Sequence, residues 1–245
     1  MKKLLFLVTT LALCASTAFA SPAGVDLSFN ACPLNAGSTQ AGVIDCAGGG
    51  VLTALMSFAP AEAISDLVAV DSIVDIFLQA GDMHSDANFW DFETGNQAGV
   101  GMSHLRPPSG CSTPTAYTNT WSKTGAGVSL GALVRSPRNV RLAAGCYRPD
   151  FYNAAAGQDL FGYQLSFDGS TSVEGGGAAT GCTLPAMIVV MQAIPQSSAG
   201  APTTTLTGTS HNAIPCSTIN GGVTTQCFAV PTQRHTWSQL KSLYR

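Results

Sequence analysis

Charge is scarce in this 245-residue chain, where Asp, Glu, Lys and Arg together make up 10% of the residues. Positive charge is scarcest. No Lys or Arg lies between Lys3 and Arg106, a stretch that holds ten acids. The net charge is −3, and no basic patch interleaved with aromatics occurs, which argues against nucleic acid as a partner. There is no C-x-x-C, and no His stands at ligand spacing from a Cys, so a structural zinc site is not expected. No Asn-x-Ser/Thr acceptor site is present. Beyond the first twenty residues no apolar run is long enough to span a bilayer as a helix. Disorder is excluded as well, because 45% of the residues are hydrophobic and such a chain can bury a sizeable core.

What is present begins with "MKKLLFLVTTLALCASTAFA". Lys2 and Lys3 form a charged region, Leu4 to Leu13 is a short apolar run, and Ala18-Phe19-Ala20 has the small residues of a cleavage site. Residues 1–20 therefore read as a secretory signal cut near Ala20. The expected mature chain is secreted, either extracellular or periplasmic. Six basic residues lie from Arg106 to Arg148 without an acid, and acids return from Asp150 to Glu174. Blocks of opposite sign suit strands that lie side by side.

Strand patterns dominate the rest. "GVDLSFNA" alternates Val25, Leu27 and Phe29 with polar residues, as a half-buried strand would. "LVAVDSIVDIFLQA" fits helix or strand by spacing. Its β-branched load favours strand, with a break near Asp71-Ser72. "VLTALMSFA", "GVGMSHL", "GVSLGALVRS", "NVRLAAGCYR", "LFGYQLSFDG" and "AMIVVMQAIP" read as further strands, separated by Gly, Pro, Ser and Asn. The expectation is an all-β chain. Residues 21–215 would form one β-sandwich or jelly-roll-like domain of about nine or ten strands, and 216–245 a C-terminal extension with a disulfide loop and a short helix.

Seven cysteines follow the signal, and an oxidising compartment would pair most of them. Proximity suggests Cys32 with Cys46 and Cys216 with Cys227, each closing a loop rich in Gly, Asn, Ser and Thr. The pairing of Cys111, Cys146 and Cys182 stays open.

Three stretches have residue types that suit chemistry. "GVSLG", residues 127–131, matches G-x-S-x-G with Ser129 as nucleophile, and Asp and His residues follow in hydrolase order. Strand-like flanks and the lack of βα units point instead to a Gly-flanked strand, so a serine hydrolase is the alternative and a non-enzyme the expectation. "GDMHSDANFWDFETGN" places Asp82, Asp86 and Glu93 at positions 1, 5 and 12 of a calcium-loop spacing. His84 and Ala87 depart from that pattern. No cofactor other than this calcium is expected. Aromatics form the third group: Trp90 with Phe92, Tyr117 with Trp121, and Tyr147 with Phe151 and Tyr152. Sugars stack on exposed aromatic faces, so Trp90, Phe92, Tyr117 and Trp121 are candidates for a glycan or envelope-surface platform.

The tail "TWSQLKSLYR" puts Trp237, Leu240, Leu243 and Tyr244 on one helical face. Ten residues do not make a stable helix alone. The tail is thus expected to dock on the protein's own core or on a sorting partner. Taken together, "GVDLSFNAC", "FWDFE", "GCTLP" with "AMIVVMQAI", and "TWSQLKSLYR" resemble a group of small secreted bacterial proteins that end in T-W-x-x-[LIV]-K-x-L-Y-R. The resemblance implies export and a β-sandwich, and it supplies no catalytic residue. Cohesin-like and carbohydrate-binding modules share such an architecture, an analogy of fold alone. The function expected from the sequence is a secreted, non-catalytic β-sandwich, glycan-binding or adhesive, at the cell envelope or outside the cell.

Overall fold

The computed structural model describes residues 23–31, 39–83, 88–92, 101–103, 120–121, 124–200, 203–207 and 215–223. Residues 1–20, Cys32, Asp86, Glu93, Cys111, Tyr117, Cys227 and residues 236–245 lie outside the described residues.

Among the described residues ten strands form two facing sheets. They are β1 (Gly24–Phe29), β2 (Ala41–Gly42), β3 (Val51–Ala59), β4 (Ile64–Leu78), β5 (Gly101–Ser103), β6 (Gly127–Ser136), β7 (Asn139–Ala154), β8 (Leu160–Asp168), β9 (Ala186–Ser197) and β10 (Cys216–Ile219). One sheet has the order β1-β3-β8-β5 and the other β2-β10-β9-β4-β7-β6. All named pairings are antiparallel except β10 with β2. The chain is an all-β sandwich, as the spacing of short apolar strands predicts. Cys216–Ile219 was expected to open a C-terminal extension. It pairs as β10 within the six-stranded sheet.

The main core lies between the sheets. Leu27, Met56, Phe58, Tyr163 and Phe167 come from one side, and Val70, Val74, Ile76, Leu142 and Ile188 from the other. β4 runs through residues 71–72 without the expected break. Alternation continues there because Ser72 enters the core with its hydroxyl satisfied, while Asp71 points outward. Ser72 Oγ donates to Ala144 O at 2.8 Å and accepts from the Tyr163 hydroxyl of the opposite sheet. The irregularities fall elsewhere, between Leu67 and Ala69 and between Ile73 and Val74. β1 also departs from the half-buried expectation, for Asp26 and Ser28 are as buried as Val25 and Leu27.

Two segments of the resemblance dock on each other at one end of the core. Phe89 N donates to Thr180 O at 3.0 Å, Thr180 N donates to Asn88 Oδ1 at 2.7 Å, and Trp90 Nε1 donates to Gly181 O at 2.8 Å. Trp90 and Phe92 then pack against Phe167 with ring centroids 6.2 and 6.5 Å apart. Beside them Cys46 is bonded to Cys182, 136 residues away. This corrects the expected Cys32–Cys46 pair, since the fold brings Cys46 and Cys182 together, Cα to Cα 6.1 Å. Asn220 reinforces the junction, donating to Cys182 O at 2.6 Å and accepting from Ile44 N at 2.9 Å. Cys146 is free and buried, with its thiol 3.4 Å from Gly162 O.

The outer face of the six-stranded sheet is not uniform. Toward β10 it carries a second buried cluster of Met187, Val189 and Cys216, with Phe77 and Met191 packed against it. Toward β6 it is open. Asp75 and Arg141 mark the border between the two halves. Arg141 Nε and NH2 donate to the two Asp75 carboxylate oxygens at 2.7 and 2.6 Å, and Asp75 is buried. The basic and acidic blocks do neutralise each other here, across neighbouring strands.

Candidate functional site

Three of the four residues of the sequence-derived platform are buried. Trp90 and Trp121 are fully buried and Phe92 is 5% exposed. Trp121 Nε1 donates to Phe161 O at 2.5 Å, so its polar edge is satisfied inside the protein. These three side chains belong to the main buried cluster, the commoner use of large aromatic rings. Tyr117, the fourth residue of that set, lies outside the described residues.

The calcium triad is described only in part. Asp82 is described and Asp86 and Glu93 are not. Among the described residues no group of three His, Cys, Asp or Glu side chains is placed to hold a metal ion.

Ser129 sits in mid-strand. β6 runs unbroken from Gly127 to Ser136 and pairs along its length with β7. A nucleophile elbow needs a sharp turn from strand to helix, and residues 127–131 make no such turn. All four histidines lie outside the described residues. The G-x-S-x-G spacing has a different physical meaning here. Side chains two apart on a strand share one face, so Gly127, Ser129 and Gly131 all point outward from the sandwich.

Register extends that face across four strands. One row is Gly127 (β6), Tyr147 (β7), Ala69 (β4) and Gln196 (β9). The next is Ser129, Gly145, Asp71 and Ile194. The third is Gly131, Ala143, Ile73 and Gln192. Small residues at 127, 129, 131, 143 and 145 make a shallow trough in the sheet surface. Gly131 is its most open point, with nothing within 4 Å of where a β-carbon would sit.

Tyr147 forms one wall of this trough. Its ring crosses the strand to lie over Gly127, where an added β-carbon would collide with the hydroxyl and ring edge. The glycine makes that posture available, and the residue remains 49% exposed. Polar groups gather beside it. A β-carbon at Gly145 would lie 2.8 Å from Asp71 Oδ1 and 3.6 Å from Ser129 Oγ, so carboxylate and hydroxyl converge over one glycine. Gln196 Nε2 donates to Asp71 Oδ2 at 3.1 Å. Partial burial raises the Asp71 pKa, and the Gln196 hydrogen bond opposes that rise.

Past Tyr147, β7 bulges away from β4. Arg148 turns inward, donates to Asp150 Oδ1 at 2.8 and 3.0 Å, and stands 5.3 Å over the Tyr152 ring. Phe151 is 65% exposed within this bulge. Tyr147 and Phe151 were visible in the sequence as an aromatic cluster. Gly127, Asp71 and Gln196 were not, because their relation depends on the register of four strands.

No protein-family model matches the chain, and no curated protein does. Among solved structures it is similar to a cohesin module from a Clostridium perfringens family 33 glycoside hydrolase. The identity is 5% and the TM-score 0.30, over 76% of this chain and 96% of that module. Among the described residues no helix is long and apolar enough to cross a membrane.

Proposed function

We propose that the protein is an exported, non-catalytic β-sandwich that binds glycan on the open half of its six-stranded sheet. The observation that carries this reading is the posture of Tyr147 over Gly127, next to the convergent Asp71, Gln196 and Ser129. A half-exposed ring offers an apolar face to the C–H surface of a sugar. A carboxylate, an amide and a hydroxyl together accept from and donate to sugar hydroxyls. Beside these groups the floor is open at Gly131 and Ala143, where a flat polymer could approach the sheet. Export is supported by the charged and apolar N-terminal pattern and by disulfide use in a chain of low charge. An envelope or extracellular surface bearing such glycan is the setting in which this protein would be adhesive.

Binding to a panel of soluble and insoluble glycans, including cell-envelope polysaccharides, tests the reading. The wild-type protein is expected to retain at least one polymer and Tyr147→Ala to lose it. A panel with no binder, or retention unchanged in Tyr147→Ala, rejects the site.

A further inference from the structure

The covered half of the same sheet raises a separate question. Met187, Val189 and Cys216 are only 3%, 1% and 2% exposed, yet they face outward. Their chain neighbours Ala186, Ile188 and Val190 belong to the main core, and strand side chains alternate between faces. No described strand lies over this outer cluster.

Two further facts indicate what covers it. Cys216 is disulfide-bonded. Among the described cysteines, Cys46 and Cys182 hold each other and Cys146 is free, so the partner of Cys216 lies outside the described residues. The chain also leaves β10 beside the cluster. Val223 N donates to Gln79 Oε1 at 2.9 Å, and Gln79 Nε2 returns a bond to Val223 O at 3.0 Å. Gln79 follows directly on β4, two residues past Phe77, which shares a row with Met187. Twenty-two residues follow Val223, and the first cysteine among them is Cys227.

We propose that residues 224–245 fold back across the outer face of β4, β9 and β10, with Cys227 bonded to Cys216 and the apolar face of the tail on Met187, Val189, Phe77 and Met191. The four residues from Val223 to Cys227 reach about 13 Å, roughly the length of β10, so the return to Cys216 is within range. Trp237, Leu240, Leu243 and Tyr244 supply the complementary stripe. A terminal helix this short needs such a surface to be stable. The inference is independent of glycan binding, which uses the other half of the face.

Peptide mapping of the non-reduced full-length protein is the first test. A Cys216–Cys227 peptide is expected, and linkage of Cys216 to Cys32 or Cys111 overturns the proposal. A photo-crosslinking residue at Met191 in the full chain is the second. It is expected to capture a peptide from residues 228–245 of the same molecule. Capture of a second copy, or of any other segment, overturns the proposal. Deletion of residues 228–245 is the third, and is expected to lower the melting temperature and raise binding of an apolar dye. An unchanged melting temperature with unchanged dye binding overturns it. If the truncated chain does not fold, mapping and crosslinking on the intact protein decide.

Discussion

The Tyr163 hydroxyl donates to Ser72 across the interface between the two sheets, and Ser72 Oγ donates in turn to Ala144 O. This is a polar strut inside an apolar core, and every member has a partner. Tyr163→Phe removes one neutral buried hydrogen bond and is expected to cost about 0.5–1.5 kcal/mol. Ser72→Ala leaves a buried phenol without its acceptor and is expected to cost more, about 1–3 kcal/mol. The double variant should cost less than the sum of the two, because neither orphan then remains. Denaturant unfolding of the four proteins measures the cycle, and strict additivity would show that the strut does not couple the sheets.

Burial raises the Tyr163 pKa above the ordinary phenol value, and it raises the Cys146 thiol likewise, with the Asp71 charge adding to the effect. In both cases the folded state holds its proton where the unfolded chain releases it. Stability from these groups is complete below about pH 9 and is lost as pH rises beyond the ordinary thiol and phenol values. Alkaline unfolding should therefore begin near pH 9 and be partly relieved in Tyr163→Phe. A chevron or melting series from pH 7 to 11 records it.

The acid limb carries two opposing carboxylates. Hydrogen bonds from Ser197, Ser198 and Ala199 N hold Asp66 below the ordinary carboxylate range, so its contribution is present above about pH 4 and is lost on acidification. Asp71 is shifted the other way by burial, so its ionisation weakens the fold as pH rises past the same value. Asp66→Asn should lower the melting temperature at pH 7. Asp71→Asn should raise it, and should at the same time abolish glycan retention. A melt from pH 3 to 7 on both variants separates the two signs.

Gly127→Ala tests the trough without touching its polar groups. The added methyl would occupy the space of the Tyr147 ring and turn it off the strand. Glycan affinity should fall at least about tenfold, as for the loss of an interface anchor. Gly131→Ala, with open space at its β-carbon, should retain its fold and measures how closely the polymer approaches.

Cys46–Cys182 closes a long loop, and the chain-entropy view assigns such a bridge about 4–5 kcal/mol. Replacing both cysteines by serine should lower the unfolding midpoint accordingly while Cys146 stays inert to thiol reagents in the folded state. Thiol counting under native and denaturing conditions checks the second part.

The sequence carried the strands well, because alternation and β-branched content are local. The β-branched content of β4 outweighs its competing helical spacing, and the break expected near Asp71-Ser72 is absent, since a serine in a core reads as polar until its partner Tyr163 is known. The partner of Cys46 is not legible in the sequence. Nearness along the chain favoured Cys32–Cys46, whereas the docking of the 180–182 segment beside Cys46 decides the bond in space. The site was half legible. G-x-S-x-G matches the pattern of a nucleophile motif, yet its spacing of two is the spacing of one strand face. Trp90, Phe92 and Trp121 were candidates because large aromatics serve both cores and platforms, and nothing local separates the two uses. Register put Tyr147 beside Gly127 and Asp71 beside Ser129, and register is a property of pairs of strands.

The Cys46–Cys182 bond also has a mechanical meaning. Strands β3 to β8 all lie between its two ends. Tension applied along the chain from outside that interval meets the covalent link before it can draw on those six strands. About 460 Å of contour is thereby withheld from extension, at roughly 3.4 Å for each residue of the closed loop. Under load the molecule can yield at β1, β2, β9 and β10, and then it stops lengthening. Drawn from outside that interval, the fold gives a little and then bears force through sulfur.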